Sequence, residues 1–268
     1  MNVVSGKVAF GIALIVLLVG GFVVYMKFFK KTTTVEKREK FRDLFIFFGP
    51  PACGKGTLAA RLKDELKFIS VSTGDVLRQN VAQETELGKK AQPLMAKGEL
   101  VPDELINAMI RDWLEKQSAT RSPIILDGYP RTVQQAKTLV EMLKGSKNNE
   151  FRLRIMRFTV SEQEAVDRIV CRVVCSNKSC QKVYSTKALK SKVEGICDVC
   201  GSPLSKRCDD TEDVIKKRFN DYMKSESEML NFFKEAGVEI QTISAEQPMQ
   251  KVFEAFKEVA GVNAISES

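Results

Sequence analysis

Short apolar runs alternate along this chain with segments whose apolar residues recur every three or four positions. Leu44–Phe48 is an unbroken apolar run that stops at Gly49-Pro50-Pro51, the pattern of a strand covered on both faces. Phe68–Val71, Ile124–Leu126, Leu153–Thr159 and Val238–Ile243 are further strand candidates. Between and after them, Lys55–Leu66, Gly74–Val81, Asp103–Lys116, Thr132–Leu143, Ser161–Cys171, Glu212–Ala236 and Pro248–Val259 carry helical periodicity. Strands separated by helices predict an α/β fold: a five-stranded parallel sheet flanked by helices on both faces.

Two stretches break the alternation. Val173–Lys206 is rich in Cys, Lys and Ser and weakly periodic, and reads as a small subdomain inserted between two helices. Val8–Met26 is 19 residues without a charge. As a helix it would span roughly 28 Å, close to the ~30 Å hydrocarbon core of a bilayer. Lys27, Lys30 and Lys31 follow it where a cleaved leader would carry small residues. The expectation is a retained single-pass anchor, 1–31, and a polar linker, 32–42. The basic flank after the span then places the rest of the chain in the cytosol.

Charge supports that division. The net charge is +8, yet residues 1–42 alone hold eight Lys/Arg against two Asp/Glu. The other 226 residues are close to neutral, so basicity gives no argument for nucleic acid, and the basic arm suits an anionic membrane surface. There is no histidine, which excludes Ser–His and Cys–His catalysis and every histidine-bearing zinc site.

The chemistry starts at Gly49-Pro-Pro-Ala-Cys-Gly54-Lys55-Gly56-Thr57, between a predicted strand and a predicted helix. Glycines there let backbone N–H groups turn onto phosphate oxygens, and the helix start adds positive potential. Lys55 can reach the outer phosphates and Thr57 can support a Mg²⁺ shell. A GTPase would carry a guanine-reading Asn-Lys-x-Asp; Asn177-Lys178-Ser179-Cys180 lacks the Asp.

Further motifs narrow the class. Ser72-Thr73-Gly74-Asp75-Val76-Leu77-Arg78 follows the second strand, and Leu126-Asp127-Gly128-Tyr129-Pro130-Arg131-Thr132, with Gln135, follows the third. Asp167–Arg172 precedes the insert, Arg207-Cys208-Asp209-Asp210 follows it, and Arg218 lies beyond. Arginines of this number suit the concentrated negative charge of two nucleotides, because their forks are permanently cationic and bidentate. In order and spacing these motifs closely resemble the adenylate kinase family of nucleoside monophosphate kinases, over about residues 43–262, with 263–268 as a tail.

The resemblance implies a P-loop kinase fold, MgATP and AMP as substrates, and a monomeric catalytic domain with no nucleic-acid partner. It implies that Ala52, Cys53, Gly54, Lys55, Gly56 and Thr57 hold the donor phosphates. Arg172, Arg207 and Arg218 would close over the transferring group, and Asp127 would hold Mg²⁺ through water. Arg78 and Arg131 would hold the AMP phosphate, with Arg207 and Arg218 beside them. Thr73, Gly74, Glu99, Leu100, Val101, Gly128, Tyr129, Pro130 and Gln135 would form the rest of the AMP pocket, whose mobile segment spans about 73–102. Val183, Tyr184 and Gln247 resemble residues near the donor base, and Asp209 and Asp210 the hinge of a lid at about 173–206. A GTP:AMP phosphotransferase, another monophosphate kinase and a tethered nucleotide-binding scaffold are the competing readings.

Cys175-x₄-Cys180-x₁₆-Cys197-x₂-Cys200 has the spacing of a Cys₄ structural zinc site. The long-lid form of the resembled family bears such a site, usually with x₂ in the first pair. Cys53, Cys171 and Cys208 read as ordinary small residues.

Overall fold

The computed structural model describes residues 41–117, 120–145, 151–177, 180–207 and 209–262. The chain divides into two units, Met1–Arg42 and Asp43–Ser268, and nearly every described residue belongs to the second. In chain order the described strands are β1 (Arg42–Phe48), β2 (Ile69–Ser72), β3 (Ile124–Asp127), β4 (Phe151–Thr159), β5 (Arg172–Cys175), β6 (Val183–Ser185), β7 (Leu204–Ser205) and β8 (Glu239–Ser244). The described helices are α1 (Lys55–Leu66), α2 (Thr73–Ala82), α3 (Glu86–Ala96), α4 (Asp103–Lys116), α5 (Val133–Gly145), α6 (Glu162–Val170), α7 (Glu212–Glu235) and α8 (Met249–Ala260).

β2-β3-β1-β4-β8 form the five-stranded parallel sheet that the alternation predicts. Its central strand explains the unbroken apolar run. Leu44, Ile46 and Phe48 face one core, with Ile124, Leu126 and Ile155 and side chains of α2, α3, α4, α5 and α7. Phe45 and Phe47 face the other, with Ile125, Met156, Phe158, Ile243 and side chains of α1 and α8. Successive residues of a strand point to opposite faces, so a strand covered on both faces has no polar position to spare. The second core is aromatic: Phe256 of α8 meets Phe45, Phe47 and Phe68 at centroid distances of 5.3, 5.6 and 5.9 Å, each edge to face.

α3 was not among the predicted helices. It contains Pro93 and Gly88, both helix-breaking signals. Thr85 caps it by accepting from the Gly88 N–H at 3.0 Å. Gly88 is required by packing: a Cβ there would lie 2.1 Å from the Asn80 carbonyl oxygen, so α2 and α3 touch backbone to backbone. The insert between α6 and α7 folds as a separate three-stranded antiparallel sheet, β6-β5-β7. These strands have two to four residues each, too short for a periodic signal. Their small core is Cys175, Tyr184 and Cys197, with Val173, Cys180 and Leu204 against it.

One expectation is corrected. Among the described residues no helix is long and apolar enough to cross a membrane. α7, with 24 residues, has the length but carries charges along it. Val8–Met26, on which the single-pass anchor was placed, lies outside the described residues. The membrane localisation and cytosol-facing orientation are withdrawn.

Candidate active site

The phosphate loop joins the buried end of β1 to α1. Gly54 takes φ +93°, a left-handed conformation that glycine adopts without strain, and turns the chain into the helix. No side chain caps α1 and its first turn has no acidic residue, which leaves the helix's first N–H groups and positive end for an anion. Lys55, the first helical residue, reaches back across the loop. Its Nζ donates to the carbonyls of Gly49 at 2.9 Å and Pro50 at 2.8 Å, and to Cys53 Sγ at 3.3 Å.

Asp127 ends β3, in register with Phe47 of β1 and Ser72 of β2. Its Oδ2 lies 3.4 Å from where a Cβ on Gly56 would stand, so the carboxylate abuts the loop. Burial pushes its carboxyl above the usual range, Lys55 pulls it down and Asp75 adds to the rise.

Five arginines come from five separate segments: Arg78 from α2, Arg131 from the loop after β3, Arg172 from the start of β5, Arg207 after β7 and Arg218 from α7. All five, with Lys55 and Asp127, line one cleft of about 1660 Å³. Arg172 grips Asp210 with two nitrogens, Nε to Oδ2 at 2.7 Å. Arg218 donates to Asp209 Oδ2 at 3.0 Å and to the Met95 carbonyl at 3.1 Å. Arg78 pairs with Asp75 and stands 3.9 Å from Asp209. Arg207 donates to Asp75 at 3.5 Å. Arg131 donates Nε to the Gly128 carbonyl at 2.8 Å.

The crowding shows in the ionisation. Burial, then the neighbouring Arg78 and Arg172, lowers Arg207 to about 10. The surrounding protein and then Arg218 push Arg131 below its usual value. Burial alone would raise Asp209, but Arg218, by charge and hydrogen bond, outweighs it and holds the carboxyl low.

The cleft also gathers Ala52, Gly54, Gly56, Thr57, Thr73, Gly74, Glu99, Leu100, Val101, Gly128, Pro130, Gln135, Val183, Tyr184, Asp209 and Gln247. Three predicted residues are not among its lining. The Cys53 side chain belongs to the aromatic core. Tyr129 is buried in the opposite core, its hydroxyl donating to Asn107 at 2.7 Å. Asp210 is engaged by Arg172. Asp75, Asp103 and Asn107 were not singled out from sequence. Asp103 accepts from the Thr132 hydroxyl and the Gln135 amide, both at 2.7 Å, while Gln135 Oε1 accepts from the Arg131 N–H at 2.7 Å. Asp75 alone carried a local signal, its i,i+3 spacing from Arg78.

The four cysteines of the insert meet. Their sulfurs all lie within 4.8 Å of one another, with Cys175–Cys200 at 3.3 Å and Cys180–Cys197 at 3.7 Å. Four thiolates held tetrahedrally at ~2.3 Å from one ion stand about 3.8 Å apart, so this donor set fits a metal. Burial would raise the Cys197 thiol, but the Tyr184 hydroxyl and the N–H groups of Val199 and Cys200 lower it to about 6. Tyr184 also accepts from the Asp198 N–H at 2.8 Å, and its ring is part of the small core of the insert.

A phosphate loop at the end of a central parallel strand, faced by arginines from separate segments across one cleft, defines a P-loop nucleotide kinase. The family model described as adenylate kinase matches residues 47–238. The adenylate kinase of Fervidobacterium nodosum is 41% identical over 216 residues, covering 81% of this chain and 96% of its own. That of Thermosipho africanus is 42% identical, covering 71% and 87%, and that of Clostridium acetobutylicum 39%, covering 81% and 98%. The chain belongs to the adenylate kinase family.

Proposed function

We propose that the chain catalyses ATP + AMP ⇌ 2 ADP in this cleft. The observation that carries it is the convergence of Lys55 and five arginines on one cavity, which offers charge for two sets of phosphates. One phosphate oxygen of AMP attacks the γ-phosphorus of ATP, the bond from that phosphorus to the β,γ-bridging oxygen breaks, and the electron pair leaves on ADP. The attacking oxygen is already ionised at neutral pH, so a site without histidine needs no general base. Positioning and charge stabilisation supply the rate.

The phosphate loop, with Lys55 and Thr57, takes the donor phosphates. Arg78 and Arg131 take the acceptor phosphate, with Arg207 and Arg218 beside them. Arg172, Arg207 and Arg218 neutralise the group in transfer. Mg²⁺ arrives with ATP as part of the substrate and spreads charge over its phosphates; Thr57 and Asp127 are the side chains placed to hold its shell. Thr73 and Gln135 face the acceptor, which favours an adenine base there, and Val183 and Gln247 face the donor base. In the lid the four cysteines take structural Zn²⁺, which holds together a subdomain whose apolar core is too small to do so.

The test is a coupled assay of the purified chain over a panel of monophosphates and triphosphates. AMP with ATP is expected to give the highest kcat/KM. Preference for UMP or GMP as acceptor would sink the reading, and preference for GTP as donor would revise the donor half alone.

A further inference from the structure

Four of these five arginines, Arg78, Arg172, Arg207 and Arg218, are already countered by carboxylates of the protein itself. Asp209 is buried at the hinge beneath Arg218, and Asp210 is locked against Arg172. Asp75 differs. Its side chain is 43% exposed, it lies on the first turn of α2, and it opens into the cleft. It is nevertheless shared between two arginines from distant parts of the chain, Arg78 three residues away and Arg207 at 3.5 Å across 132 residues. Its backbone N–H donates to Ser72 Oγ at 3.3 Å in the helix cap, and the Ser72 side chain in turn hydrogen-bonds the carboxylate, an acceptor that an amide oxygen in its place retains.

Arg78 and Arg207 are two of the cations assigned above to the acceptor phosphate. A fork that holds a carboxylate has fewer N–H groups to offer a phosphate. We infer that Asp75 is an internal anion that competes with the acceptor phosphate for Arg78 and Arg207. It weakens ground-state binding of AMP and takes the arginines back when product leaves. Without it, burial beside other arginines would leave these two cations underpaired, and a phosphate would be held too tightly for rapid release. Asp75 is thus a positioning residue that trades affinity for turnover. The inference rests on the proposed placement of AMP at Arg78 and Arg207.

The experiment compares the full chain with Asp75→Asn, which keeps shape and cap and removes the charge. Binding of AMP and of adenosine is measured by calorimetry, and kcat and KM by the coupled assay. In the variant AMP is expected to bind about fivefold tighter, the worth of one half-exposed ion pair, with adenosine unchanged. KM for AMP should fall, and kcat should fall with it. Asp75→Glu should restore both toward wild type. Weaker or unchanged AMP binding in a variant of normal thermal midpoint would overturn the inference. So would loss of kcat with unchanged AMP affinity, which would assign Asp75 to the reacting end. If the unsubstituted chain binds adenosine as well as AMP, the placement of the phosphate at these arginines has failed instead.

Discussion

Arg131 is placed by its own neighbourhood. Its N–H is fixed by Gln135 and its Nε by the Gly128 carbonyl, and among the described residues it makes no ion pair, so the rest of its fork points at the cleft. Arg131→Lys keeps the charge but loses the fork. Steady-state kinetics should show kcat/KM for AMP falling roughly 10- to 100-fold, with the thermal midpoint unchanged. Lys55 makes a sharper case, because its three donors span the phosphate loop. Lys55→Ala should lower kcat by about 100-fold or more while the fold persists. Both residues are legible in sequence, since each sits inside a contiguous motif. Asp103, which orients Gln135 and Thr132 from 32 and 29 residues away, is not: nothing local distinguishes it from any acid in a helix's first turn.

At the scale of the element, α7 carries Arg218, Tyr222 and Glu226 at i, i+4 and i+8, on one face. Arg218 reaches the cleft. Tyr222 packs on Phe48, the last residue before the phosphate loop, at 5.1 Å between rings. Glu226 is buried, accepting from Arg157 of β4 at 2.9 Å and from Tyr222 at 2.6 Å. Burial would raise the Glu226 carboxyl, but the Arg157 and Tyr222 hydrogen bonds outweigh it and hold it below the usual glutamate range. Its contribution to stability is therefore present above the unfolded carboxylate pKa and lost as pH falls through the lower folded value. Glu226→Gln should destabilise the chain by roughly 1–3 kcal/mol at pH 7 in denaturant titrations, with the gap narrowing below about pH 4. A gap independent of pH would refute the ionic account. The helical period makes the stripe visible in sequence; which strand it meets is not.

At the scale of the whole molecule, the catalytic sheet and the lid have different sources of stability. The sheet is held by two large apolar cores, the lid by a few buried side chains around four thiols. Treatment with a strong zinc chelator should expose four reactive thiols, loosen the lid and lower kcat, while the parallel-sheet domain keeps its main unfolding transition. Elemental analysis finding no stoichiometric zinc in active protein would refute this. The membrane anchor rests on the hydropathy of residues 8–26 and the basic flank after them, and no described helix has the combination of length and apolarity that it requires.

The strand–loop–helix of the phosphate site, the doubly covered central strand and the cysteine spacing of the insert are all legible in the residues themselves. Each is written in neighbouring residues, through period, turn chemistry and charge. The tertiary structure decided which face α7 presents to β4, that α3 forms around Pro93, and that Asp75 stands between Arg78 and Arg207. It also set the loop's lone lysine on a single cavity with five arginines from separate segments. Those outcomes depend on contacts across tens to more than a hundred residues, where packing geometry rather than any local preference selects the partner.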